Sequence, residues 1–235
     1  MVMRLDWIFY RLADKLFGQA ETEGRRAYSQ CGEDLIVRNI FDALKIPAPS
    51  YLDIGAHHPY RLSNTYLFYS TGSHGVNIEP DPELYEHFHK ARPRDTNLNI
   101  GIGERSDMLR FFVMNPRALN TFSPDEAEKL VKEGFRIERE QEIQVLPVNS
   151  ILEEYFCEAA PDFVSIDVEG LDLQVLQGFD FTRWRPKVFC VETITYSSQR
   201  AGKKIPEIAE LLHGNDYFSY ADTWINTLFV DRRIW

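Results

Sequence analysis

Apolar and polar positions alternate along this chain in short blocks from about residue 29 onward. "SYLDIG" (50–55), "GVNIEP" (75–80), "TNLNIGI" (96–102), "FVSIDVEG" (163–170) and "KVFCVETI" (187–194) are brief runs rich in apolar and β-branched residues, and each predicts a buried strand. Between them, "SQCGEDLIVRNIFDAL" (29–44), "SNTYLFYSTG" (63–72), "PELYEHFHKA" (82–91) and "LDLQVLQGF" (171–179) place apolar residues at helical spacing. The first of these helices is expected to be capped at or near Ser29, and the second to be capped by Ser63 and closed by Gly72. A repeated strand–helix order predicts an α/β fold, mostly a parallel sheet with helices on both faces. "YFSYADTWINTLFV" (217–230) reads as two strands joined at "ADTW", an antiparallel C-terminal pair at the sheet edge.

Two stretches depart from this rhythm. Residues 2–17 set Leu5, Ile8, Phe9, Leu12 and Leu16 at helical spacing, followed by the polar link "GQAETEGRR", so 1–27 reads as an amphipathic N-terminal helix and linker. Its basic residues Arg4, Arg11 and Lys15 face Asp6 and Asp14, a balance that favours docking on the body or on a second copy, as a homodimer, over a membrane surface. The remaining 28–235 forms one domain, with an insertion at about 104–148 holding the strand-like runs "MLRFFVM" and "EIQVLPV". Insertions near a ligand-binding edge shape substrate pockets, and this one is expected to do so.

Composition narrows the function. At 235 residues the chain can bury one substantial core. Its apolar runs are only a few residues, against about 20 for a transmembrane helix. A net charge of -10, with 36 acidic and 26 basic residues, disfavours nucleic acid as a partner. Cys31, Cys157 and Cys190 form neither a C-x-x-C pair nor a disulfide framework, and the N-terminus lacks the apolar run of a signal peptide. A reducing cytoplasm is the natural reading.

In an open parallel sheet the ligand lies beyond the carboxyl ends of the strands. Those ends carry Asp53-Ile54-Gly55, then Glu79, then Asn99-Ile100-Gly101, then Asp167 with Glu169, and then Glu192. Glu79 is placed to accept hydrogen bonds from the two hydroxyls of a ribose, which points to a nucleoside. A pyrophosphate would call for a G-x-G-x-x-G loop, but only Gly55 is in register and His57, His58 and Pro59 follow it. An acidic pocket suits a cationic nucleoside, and S-adenosylmethionine is such a ligand. An NAD-dependent oxidoreductase is undercut by the missing glycines.

From about Tyr28 to Glu192 the chain resembles the FkbM-type S-adenosylmethionine-dependent methyltransferases. The segments "YSQCGEDLIV", "YLDIGAHHPYRLSNTYLF", "GVNIEPDPELYEHF", "VNSILEEYF", "PDFVSIDVEGLDLQVLQGFDF" and "PKVFCVE" carry the resemblance. It implies the Rossmann-like class I methyltransferase fold and methyl transfer to oxygen on a sugar, glycan precursor or similar small molecule, with a small-molecule or sugar-nucleotide acceptor. It further implies that Asp53 and Gly55 line the methionine end of the cofactor, Glu79 holds the ribose, and Asn99 or Ile100 borders the adenine. Ser63, Asn64 and Thr65 would meet the methionine carboxylate, and Asp167 and Glu169 would face the reacting centre. One departure stands out: family members often read "DIGANDG" or "DIGANIG" where this chain has "DIGAHHP".

Transfer to oxygen requires removal of a hydroxyl proton, and Asp167, Glu169, His57, His58 and Glu192 are the bases available. A divalent metal is compatible with these side chains, but the spacing does not call for one. Tyr28 and Gln30 either close over the pocket or anchor a helix. Two other readings stay open: methylation of a phosphorylated or nitrogen-containing small molecule, and a catalytically silent S-adenosylmethionine-binding module in glycan assembly.

Overall fold

The computed structural model describes residues 25–195 and 202–235. The N-terminal helix expected over 2–17 lies outside the described residues.

The strands expected from the apolar runs form, and they join in one sheet. They are β1 (Tyr51–Ile54), β2 (Gly75–Ile78), β3 (Thr96–Leu98), β7 (Phe163–Ile166), β8 (Val188–Glu192), β9 (Tyr217–Asp222) and β10 (Asn226–Asp231), in the order β3-β2-β1-β7-β8-β10-β9. The pairs β3–β2, β2–β1, β1–β7 and β7–β8 are parallel, whereas β10 runs antiparallel to both β8 and β9. The C-terminal pair is therefore an antiparallel hairpin, with β9 as the outer strand.

The two faces are covered separately. Leu52, Ile54, Val76, Ile78, Val164 and Ile166 pack against Val148, Ile151 and Leu152 of α5 (Val148–Tyr155), Val175 and Leu176 of α6 (Asp172–Gln177), and Ile208 and Leu212 of α7 (Pro206–Gly214). Tyr51, Phe163, Val188, Cys190, Leu228 and Val230 pack against Val37, Ile40 and Phe41 of α1 (Glu33–Ala43) and Phe68 and Tyr69 of α2 (Tyr66–Ser70). Strand alternation assigns successive residues to opposite faces, and every residue of β1, β2, β7 and β8 is buried. That double burial explains why these strands read as near-continuous apolar runs.

Residues 101–146 form a second sheet of order β4-β6-β5, from β4 (Gly101–Ile102), β5 (Asp107–Asn115) and β6 (Arg136–Leu146). "TNLNIGI" is thus two strands rather than one. Asn99 Nδ2 donates to the carbonyls of Glu79 and Pro80 at 2.9 Å each, ending β3, and the chain then crosses into the second sheet. Helix α3 (Pro82–Ala91) begins at Asp81, whose carboxylate accepts from Glu83 N. The same carboxylate receives Arg117 at 2.9 Å, so the second sheet is tied to the start of α3. The β5–β6 connection holds α4 (Pro124–Lys132), capped by Ser123 through Glu126 N. No helix among the described residues is long and apolar enough to cross a membrane.

Candidate functional site

The geometry of the turn after β1 decides what this sheet can hold. Gly55 has φ +78°, and a Cβ there would lie 1.9 Å from the carbonyl oxygen of Asp167, so the position requires glycine. The amides of Gly55 and Ala56 both donate to Ile78 O, that of His57 donates to Glu79 Oε2 at 2.7 Å, and that of His58 donates to Ala56 O. All four successive amides are spent within the protein. A phosphate cradle needs such amides free, so this loop is built for something other than a pyrophosphate.

Around that turn lies a cavity of about 570 Å³, within the range of small-molecule sites. Its lining brings together Asp53, Gly55, His57, Ser63, Asn64 and Glu79, and, at the ends of β7 and β8, Asp167, Glu169 and Glu192. Gln30 also lines it, whereas Tyr28 serves as an anchor: its amide donates to Asp34 Oδ2 and its ring meets Tyr66 edge-on. Thr65, Asn99 and Ile100 stand outside the lining. Thr65 is fully buried between Asp53 and Arg92, Asn99 binds the Glu79–Pro80 backbone, and Ile100 packs on the main core.

Pleating explains why Asp53 reaches this place. Asp53 pairs in register with Asn77 on one side and Ser165 on the other, so the three side chains form a polar row on one face. Asp53 Oδ2 accepts from Thr65 Oγ1 at 2.6 Å, and Asn64 Nδ2 donates to Ser165 Oγ at 3.1 Å. Behind the row, the buried guanidinium of Arg92 donates to Asp95, Thr65 and Tyr51. Burial pushes the Asp53 carboxyl up, while Arg92, Thr65 and Ser165 act to hold it down.

Glu79 accepts amides at both oxygens, from His57 at Oε2 and from Asp81 at Oε1, both at 2.7 Å. Each oxygen keeps a second lone pair. Burial, opposed by these amides and helped by Asp81 and Asp53, lifts its pKa to about 8. The His57 ring is pushed down by burial and then by Arg61, and is therefore neutral at pH 7. His58 Nδ1 accepts from the amides of Tyr60 and Arg61, which makes it a turn former.

The far side of the cavity is lined by three carboxyls, Asp167, Glu169 and Glu192, and Asp172 acts on them from outside the lining. Burial and then Asp172 raise Asp167 to about 7, while burial followed by Asp167 and Asp172 raises Glu169 well above its ordinary value. Glu192 is lifted to about 11 by burial and by Asp167, Glu169 and Asp172. Asp172, absent from the sequence expectations, accepts from Val168 N at 3.2 Å and sits at about 6. Its only sequence signal was its place three residues after Glu169, at the start of α6. Among the described residues, no group of three or more His, Cys, Asp or Glu side chains is arranged to hold a metal ion.

Backbone strain gathers at the same place. Six non-glycine residues among those described have positive φ, and four of them, His57, Leu62, Glu169 and Trp224, line this cavity. Such conformations cost of order 1–3 kcal/mol each and concentrate at functional sites.

Among curated proteins none matches the chain. Among solved structures, it is similar at 13% identity to the 1,6-didemethyltoxoflavin-N1-methyltransferase of Burkholderia thailandensis (95% of this chain, 88% of that one, TM-score 0.41). It is similar at 10% identity to a TehB-like SAM-dependent methyltransferase from Corynebacterium glutamicum (96% of each chain, TM-score 0.42). A third likeness, also at 10%, is to an amino pentose methyltransferase from Micromonospora echinaspora involved in calicheamicin biosynthesis (95% of this chain, 96% of that one, TM-score 0.44). These are distant likenesses, and the assignment rests on the family match. The methyltransferase FkbM domain model matches residues 53–219, from the polar row of β1 into β9. The chain belongs to the FkbM methyltransferase domain family.

Proposed function

We propose that this protein transfers a methyl group from S-adenosylmethionine to a hydroxyl of a sugar or similar small molecule. The observation that carries this reading is the convergence of carboxyls from four strand ends on one cavity whose turn amides are all internally bonded. That donor set fits a cationic nucleoside. Glu79 offers lone pairs to ribose hydroxyls, Asp53 is placed for an ammonium group, and Ser63 and Asn64 border the same end. When bound, S-adenosylmethionine supplies an electrophilic methyl group on a sulfonium.

The chain's own residues supply positioning and a proton acceptor. Asp167, at about 7, is matched to taking a hydroxyl proton near neutral pH. Glu192, raised far higher, keeps its proton at neutral pH and can donate a hydrogen bond to the acceptor. Glu169, likewise raised by burial and by Asp167, lines the same side of the cavity and faces the reacting centre with it. Leu119, Thr121 and Phe122 from the β5–β6 connection wall the acceptor side, in keeping with a substrate-shaping role for 104–148.

Titration of the protein with S-adenosylhomocysteine, with NAD as control, tests the donor site. Micromolar binding of the former alone supports the reading, and binding of NAD alone overturns it. Asp167→Asn distinguishes an enzyme from a silent binding module: it is expected to spare this binding while lowering turnover on an accepted sugar.

A further inference from the structure

We propose that Trp224 is the platform on which the acceptor's ring stacks, and that this platform favours a neutral sugar ring over an amine. The inference rests on the proposed methyl-transfer reading and extends it to the acceptor subsite. Trp224 lines the cavity, yet 58% of its surface is exposed. Its φ is +78°, an unfavourable conformation for a bulky side chain.

The surroundings impose that conformation. Thr223 Oγ1 and Asn226 Nδ2 both donate to Glu33 Oε1, at 2.7 and 3.1 Å, fixing the β9–β10 turn to the start of α1. Asp222 Oδ1 accepts from Trp224 N at 2.7 Å and from Lys204 Nζ at 2.7 Å. Lys204 Nζ in turn donates to Thr193 Oγ1, next to Glu192. The turn is thus held from three sides, and it keeps a large apolar ring in water at the mouth of an acidic cavity. Burying an indole gains far more than leaving it wet, so a rigidly presented, exposed tryptophan in a cavity lining marks a surface that a ligand covers. Leu62, also at positive φ and 58% exposed, lines the same cavity and extends the apolar rim.

The ligand's chemistry follows from the charges around the ring. Lys204 Nζ lies 5.7 Å from the Trp224 ring centroid, so an ammonium stacked there would meet a fixed positive charge. A pyranose has apolar C–H faces for the indole and edge hydroxyls for Glu192 and Asp167.

The test is saturation-transfer NMR with three probes, methyl β-D-glucoside, methyl α-D-mannoside and methyl α-L-rhamnoside, on protein loaded with S-adenosylhomocysteine. Wild type, Trp224→Ala and Trp224→Phe are compared, and calorimetry measures S-adenosylhomocysteine affinity in each. Expected is transfer to ring protons of at least one glycoside in the wild type, weakened about tenfold or more in Trp224→Ala. Trp224→Phe should retain most of it, with S-adenosylhomocysteine affinity equal in all three. Equal transfer in Trp224→Ala overturns the platform, and no transfer to any glycoside in the loaded wild type overturns the sugar class. If S-adenosylhomocysteine fails to bind the wild type, the donor reading itself falls, and the acceptor subsite falls with it.

Discussion

Asp53 and Arg92 meet at a single hydroxyl: Thr65 Oγ1 donates to Asp53 Oδ2 at 2.6 Å and accepts from Arg92 Nη1 at 3.0 Å. Arg92 is fully buried and bonded at the same time to Asp95 and to the hydroxyl of Tyr51. The chain of bonds brings the positive charge of α3's C-terminal end to the carboxylate of β1. It holds Asp53 in one orientation, and it opposes the rise in Asp53's pKa that burial alone would cause.

Thr65→Val keeps the shape of the side chain and removes the hydroxyl. Asp53 Oδ2 and Arg92 Nη1 then each lose a buried partner, at a cost of about 1–3 kcal/mol. Denaturant unfolding should show a loss of that size, together with weaker S-adenosylhomocysteine binding. Thr65→Ser, which restores the hydroxyl, should recover most of both. If the valine and serine variants behave alike, the hydroxyl does not join the two charges.

Stability should fall as pH rises across the neutral range in the ligand-free protein. Folding lifts Glu79 from 4.5 to about 8, Asp167 from 3.8 to about 7 and Asp172 from 3.8 to about 6. Between the ordinary and the raised values, the folded chain holds protons that the unfolded chain has released. Their stabilising contribution is complete below about pH 4 and is lost as pH passes through 6 to 8. Thermal melting at pH 5, 6, 7 and 8 should give a descending series, and Glu79→Gln should flatten it. A melting temperature that climbs over this window would contradict the burial of these acids.

The strands were legible because burial on both faces leaves a plain mark, a short apolar run between turn residues. The polar row was legible only in part. Asp53 stood out at a strand end, whereas nothing in the sequence singles out Asn77 and Ser165, which strand pairing brings level with it. Thr65 read as a helix N-terminal residue near the cofactor, but its role depends on Arg92, 27 residues away. "TNLNIGI" has the pattern of one strand, and only the bonds from Asn99 to the Glu79 and Pro80 carbonyls break it. "ADTW" read as a connection, because neither exposure nor the sign of φ at Trp224 can be seen in a sequence.

Gly55→Ala tests the crossing of β1 and β7. The added methyl would stand 1.9 Å from Asp167 O, a backbone atom, at a φ that side chains rarely adopt. Relief requires moving the turn away from β7 and breaking the bond from Asp167 N to Ile54 O at 3.0 Å. The variant should melt at a lower temperature and lose S-adenosylhomocysteine binding by an order of magnitude or more. Wild-type affinity in a folded Gly55→Ala protein would separate this turn from the donor site.

Of the acids in the cavity, Asp167 is the one poised to take the proton. Asp167 and Glu192 share one cluster, yet burial and neighbouring charges separate them, with Asp167 at about 7 and Glu192 at about 11. Only the former changes protonation state in the range where the enzyme would work, and general bases function best in that range. Turnover should therefore rise with pH to a plateau, with a limb near 7. Asp167→Asn should remove that limb and lower kcat by about 10²–10⁴-fold without weakening S-adenosylhomocysteine binding. Glu192 still holds its proton when Asp167 titrates, so Glu192→Gln exchanges one neutral group for another and the limb should stay near 7. It should also raise the melting temperature at pH 8, because folded Glu192 must hold a proton that the unfolded chain has released, whereas glutamine is neutral in both states. If Asp167→Asn keeps the limb and Glu192→Gln abolishes it, the two assignments exchange places. If both variants keep it, Glu169 and the neutral imidazole of His57 remain as candidate bases in the cavity, and Glu169→Gln and His57→Gln become the deciding measurements.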